Sequence, residues 1–105
     1  MFLDMALTYD QRKVDNTEGI DKENIPFIID TCKVTDSEKP YETALSHRKY
    51  KNGMWVILEQ YNTKEEAKIG HSKWLNIFLN DKPEFIMDIP AGFEDILDTE
   101  KVFRS

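Results

Sequence analysis

The stretch Tyr41–Trp74, YETALSHRKYKNGMWVILEQYNTKEEAKIGHSKW, decides the fold. It reads as a β-hairpin running directly into a capped amphipathic helix. Tyr41–Ser46 has strand composition, residues 48–53 form a turn, and Met54–Tyr61 returns as the clearest strand of the chain. Asn52-Gly53 supplies the positive φ values that a tight turn needs. Simple alternation sets Trp55, Ile57, Glu59 and Tyr61 on one side of that strand and Met54, Val56, Leu58 and Gln60 on the other. Thr63 with Glu66 fits a capping box: the hydroxyl takes the Glu66 amide and the carboxylate returns to the N-cap amide. Ala67, Gly70, His71, Trp74, Ile77 and Phe78 then fall on one helix face, with Leu75 at its border. Lys64, Lys68 and Lys73 lie off that face. Pro83 stops the helix near residues 79–81.

Working outward, residues 25–34, IPFIIDTCKV, are the first strand, apolar on both faces and therefore central. Thr35–Pro40 is a turn cluster. Residues 9–24, YDQRKVDNTEGIDKEN, are too polar for more than a loop or a weakly held edge segment. Beyond Pro83 the chain is acidic yet carries Phe85, Ile86, Met87, Ile89, Phe93, Ile96, Leu97, Val102 and Phe103, too apolar for a free tail. An extended Phe85–Ile89 and a short helix over Gly92–Leu97 are expected there.

The chain has 105 residues, enough for one domain, with 25–82 as a β-β-β-α core and 83–105 as a C-terminal docking segment. Net charge is −6, distributed as −4 over residues 1–40, +2 over 41–82 and −4 over 83–105. So acidic a chain is a poor binder of nucleic acid, which needs a concentrated basic surface. No apolar run approaches the ~18 residues of a membrane span, and the N-terminus lacks the basic start of a signal peptide. A single cysteine, Cys32, fits a reducing cytoplasm.

The spaced residues Tyr41-Glu42-Thr43, His47, Tyr50, Gly53, Trp55, Glu59, Tyr61, Thr63, Glu65-Glu66-Ala67, Gly70-His71 and Trp74 carry a resemblance. Their pattern of YET, a histidine, a turn, a tryptophan and then E-x-Y-x-T-x-E-E-A-x-x-G-H-x-x-W is similar to a family of small uncharacterised bacteriophage proteins. The likeness covers about residues 26–80 and includes the lead-in IIDTCKVTDSEKP. It implies a phage or prophage origin and brings no established activity. Members often have proline after the histidine; Arg48 stands there in this chain, which would loosen the turn.

Candidate binding residues are Tyr41, Glu42, His47, Arg48, Tyr50, Trp55 and His71. His71, one turn before Trp74 on the core face, is a ligand, a base or a pH switch by type. The plainer alternative is a buried neutral imidazole bonded to a strand, at Glu59 or Tyr41. His47-Arg48-Lys49-Tyr50-Lys51 would hold a phosphate or an acidic partner, or simply be a charged hairpin tip. Cys32 and the histidines lack the spacing of a structural zinc site, and no glycine-rich phosphate loop is present, so no metal or cofactor is expected. Glu42 and Glu59, if they face each other across the hairpin, offer an acid–base pair with His71. Trp55, Tyr61, Trp74 and Phe78 read as core. Ile69 stands alone off the apolar helix face.

The expected fold is therefore α+β, a small antiparallel sheet of three or more strands on one long amphipathic helix. Ile28, Val56 and Leu58 would need cover from the C-terminal segment or from a second subunit, which suggests a homodimer. The expected function is that of a non-enzymatic phage accessory protein binding a host or anti-phage-defence component, with the acidic tail as a docking element. The alternatives are a binder of a small nucleotide-like ligand at a subunit interface, and a small enzyme with a Glu/His pair.

Overall fold

Thr63 begins the helix as its spacing requires. Its hydroxyl accepts the Glu66 amide at 3.1 Å, with Glu65 and Glu66 in the positive first turn. The Glu66 carboxylate reaches back one residue further than expected, accepting the Asn62 amide at 3.1 Å rather than the N-cap amide. The helix, α1, spans Lys64–Asn80 and closes with the Asp81 amide on the Ile77 carbonyl, just ahead of Pro83.

The computed structural model describes residues 12–34, 39–81, 83–88 and 102–104. Four strands, β1 (Lys13–Ile20), β2 (Pro26–Lys33), β3 (Tyr41–His47) and β4 (Val56–Tyr61), form one antiparallel sheet in the order β1-β2-β3-β4. Helix α1 lies across one face and touches all four. Short strands β5 (Phe85–Met87) and β6 (Val102–Arg104) pair with each other. The sheet-on-helix expectation holds, with one more strand than the minimum. The added strand, β1, comes from the polar stretch read as a loop or a weak edge. It succeeds as a strand because its helix side is filled by a small residue and a bonded one, Gly19 against Phe27 and Thr17 on His71, and not by apolar bulk. Its Gly19 lies so close to the core that a Cβ would meet Phe27 Cζ at 2.6 Å. The helix expected over Gly92–Leu97 falls outside the described residues.

Two side assignments differ from simple alternation. The β3–β4 register runs Tyr41↔Tyr61, Glu42↔Gln60, Thr43↔Glu59 and then jumps to Ala44↔Ile57, so Leu58 is the extra residue of a β-bulge. Val56 and Leu58 thereby join Glu59 and Tyr61 on the helix side and are buried. Burying each is worth about 1.5–3 kcal/mol, more than one lost ladder position, at about 0.5–1.5 kcal/mol. Only Ile28, of the three residues expected to need cover, remains on the far face, where it is half-buried. Trp55 is not core: it precedes β4 and is 48% exposed.

The core between sheet and helix gathers Phe27, Ile29, Leu45, Tyr50, Val56, Leu58, Phe78 and Ile86. Tyr50 comes from the hairpin connection itself. Lys51, Asn52 and Gly53 all take positive φ, at 51°, 55° and 84°, and that tight coil folds Tyr50 inward. Its hydroxyl donates to the Pro83 carbonyl, and Ile86 joins the same core, so residues 83–88 dock on their own chain. Asp88 completes the attachment. It accepts from the Ile57 amide and pairs with Lys51, both at 3.1 Å.

Candidate functional site

Both histidines are buried, and each is held at both ring nitrogens. His47, the last residue of β3, is 1% exposed. Its Nδ1 accepts the Lys49 amide at 3.1 Å, so its Nε2 carries the hydrogen and donates to Asp21 Oδ2 at 2.7 Å. Asp21 sits in the β1–β2 turn, where Oδ1 also accepts the Glu23 and Ile25 amides. Burial alone would raise the Asp21 pKa. The bonds from His47, Ile25 and Glu23 outweigh it and hold the carboxyl below its ordinary value. The pair has the geometry of an oriented Asp–His dyad, but the backbone of Lys49 takes the nitrogen that a nucleophile would need. It clamps two loops together.

His71 anchors a second polar cluster between α1 and the sheet. Nδ1 lies 2.7 Å from Thr31 Oγ1 on β2, and Nε2 lies 3.0 Å from Thr17 Oγ1 on β1. Thr31 in turn contacts Thr43 on β3 at 2.6 Å, and the Tyr61 hydroxyl on β4 donates to Thr43 at 3.0 Å. One hydrogen-bonded chain thus joins all four strands to the helix. Hydroxyls can donate or accept, which satisfies either ring tautomer. Burial pushes the His71 pKa down, against the opposing pull of Asp15 and Asp30. The strand partners expected for His71, Glu59 and Tyr41, are not its partners. Burial pushes the Tyr61 phenol up to about 12, so it stays a donor.

Where this chain reaches the surface, an open groove of about 380 Å³ lies between β4 and α1. Residues 59–62 form the strand wall; Glu66, Ile69, Gly70 and Lys73 form the helix wall; Lys39 closes one side. Glu59 accepts from Lys73 Nζ at 2.5 Å and from Trp74 Nε1 at 2.9 Å. Burial works to raise its pKa, and those two bonds bring it below the ordinary value. Ile69 stands on the rim, 72% exposed.

None of the seven residues expected to bind a ligand or partner lines this groove. His47, Tyr50 and His71 are internal, Arg48 and Trp55 are exposed near the hairpin turn, and Tyr41 and Glu42 are half-buried on β3. Glu42 pairs with Gln60 on the face away from the helix, whereas Glu59 sits opposite Thr43 on the helix face. The two carboxylates therefore do not face each other. Cys32 is held as a thiol, its pKa raised to about 11 by burial and by Asp30 and Glu42. Among the described residues no group of three His, Cys, Asp or Glu side chains is placed to hold a metal ion. No helix among them is long and apolar enough to cross a membrane. The groove was signalled in the sequence only by Ile69, a large apolar residue that points away from the apolar helix face. Comparison with protein-family models, curated proteins and solved structures finds no match for this chain.

Proposed function

We propose that this chain is a non-enzymatic accessory protein that acts by binding a protein partner in a host cell. The observation that carries the reading is how the reactive side chains are spent. His47, His71, Asp21, Tyr61 and Glu59 are all engaged in hydrogen bonds within the chain, most of them buried. Large apolar side chains, Ile69 at 72%, Met54 at 62% and Ile20 at 60%, meanwhile stand in solvent. They stand on three different elements, α1, the hairpin connection and β1, and each is an apolar contact point for a protein partner. The resemblance to small bacteriophage proteins supplies the setting, a phage product meeting a host or defence component in the host cytoplasm.

The test is affinity capture from host cells, followed by reconstitution with each purified candidate. A direct complex of micromolar affinity or tighter, weakened by Asp at Ile69, Met54 or Ile20, would support the reading. Turnover of a small molecule that is lost in His71→Ala while the fold survives would overturn it in favour of an enzyme. A small-ligand binder is the second reading, favoured by the groove volume, which lies at the lower end of ligand-cleft sizes. Thermal stabilisation by a nucleotide without any protein partner would decide for it.

A further inference from the structure

We infer that the groove between β4 and α1 receives an extended, acidic–apolar peptide segment of the partner, added as a fifth strand beside β4. This inference rests on the partner-binding reading and names its surface. Strand β4 ends the sheet order, so its outer edge carries no hydrogen-bonded strand among the described residues, while β5 lies beside part of it. Open edges invite pairing, and proteins commonly block them. Here the block is partial. The Asp88 carboxylate takes the Ile57 amide at one end of β4, and the Glu66 carboxylate takes the Asn62 amide just past the other. Between the two caps lie the bulge residue Leu58 and then residues 59–61, about 10 Å of regular strand at ~3.3 Å per residue. The groove runs along residues 59–62 of this stretch.

The opposite wall suits a peptide. A strand edge facing a helix across a cleft lets main-chain bonds supply affinity and alternate side chains supply specificity. Ile69 offers apolar contact at the rim, and Gly70 keeps the wall low because its place against Tyr61 has no room for a Cβ. The charge preference follows from the donors. Both groove carboxylates accept from this chain, Glu59 from Lys73 and Trp74, Glu66 from the Asn62 amide. The Lys73 ammonium has three donors, of which Glu59 takes one, and its side chain is 47% exposed. A carboxylate on the incoming peptide meets the two remaining donors of Lys73, and a lysine there would meet repulsion.

The experiment uses the full chain, isotope-labelled, and two libraries of N-acetylated, C-amidated hexapeptides. Each peptide has a central Leu, Ile, Val or Phe; one library places Asp or Glu around it, the other Lys. Members of the acidic library are expected to bind and to move the amide signals of residues 59–62 and 69–73. Ile69→Asp and Lys73→Gln, both at exposed positions, should each weaken the best binder about tenfold or more while the protein still melts cooperatively and keeps its circular-dichroism spectrum. N-methylation of the peptide at alternate nitrogens should abolish binding in one register and spare it in the other, as a strand ladder requires. No binder in the acidic library, equal binding of the lysine library, shifts elsewhere on the chain, or indifference to N-methylation would each overturn the inference. A partner that binds Ile69→Asp and Lys73→Gln as tightly as wild type would overturn the groove as the interface and leave the partner-binding reading standing.

Discussion

Replacing Gly70 with alanine should destabilise the protein, although alanine is the better helix former. In an exposed helix the change would gain about 1 kcal/mol. Here a Cβ at residue 70 would overlap the hydroxyl, Cζ and Cε1 of Tyr61. Tyr61 has nowhere to go: it is 7% exposed and tied through Thr43 to Thr31 and His71. Relief therefore means moving α1 off the sheet, an overpacking cost of about 1–3 kcal/mol, and breaking the Tyr61–Thr43 bond, about 0.5–1.5 kcal/mol. The balance is a loss of about 2 kcal/mol, or roughly 10 °C in melting temperature for a domain of this size. Thermal and urea melts followed by circular dichroism measure it. The same substitution in a Tyr61→Ala background should reverse sign, because only the propensity gain is left there. A Gly70→Ala protein that melts at or above the wild type, or a double-mutant cycle with no coupling, would refute the reasoning.

Asp21→Asn should cost about 1–3 kcal/mol in urea unfolding, because the amide turns a donor toward the Nε2–H of His47 while Lys49 holds the other ring nitrogen; an unchanged midpoint would count against the clamp. Thr63→Ala should cost about 1 kcal/mol through the lost cap on the Glu66 amide, and equal stability would show that the cap is idle. Stability should fall as pH drops below about 6.5, since unfolded His71 binds a proton that the folded ring resists. The slope is at most about 1.4 kcal/mol per pH unit for that one group, and His71→Gln should flatten it. A second loss should set in as pH falls through the ordinary carboxyl values of 4.5 and 3.8, because unfolded Glu59 and Asp21 take up protons that the folded carboxylates resist. Urea midpoints across pH separate the two windows, and a wild type flat from pH 7.5 to 5 would exclude the His71 contribution.

The sequence alone determined what is local. The cap at Thr63, the face of α1, the stop before Pro83 and the Asn52-Gly53 turn each depend on residues a few positions apart, and each formed within one residue of its expected place. The pairing of β3 with β4 followed from the hairpin, and the inner place of β2 from one apolar run. Tertiary structure decided everything that depended on distant partners. His47 looked like part of a charged hairpin tip, yet Asp21, 26 positions earlier, draws it inside. His71 was legible as a core-face residue, but its partners Thr17 and Thr31 lie 54 and 40 positions away, on strands that periodicity cannot align. The bulge at Leu58 exchanged the faces of β4, because burying Val56 and Leu58 together outweighs an unbroken ladder. The groove belongs wholly to this second class. Its walls come from an edge strand and a helix, and which strand is left at the edge is settled only when the sheet assembles.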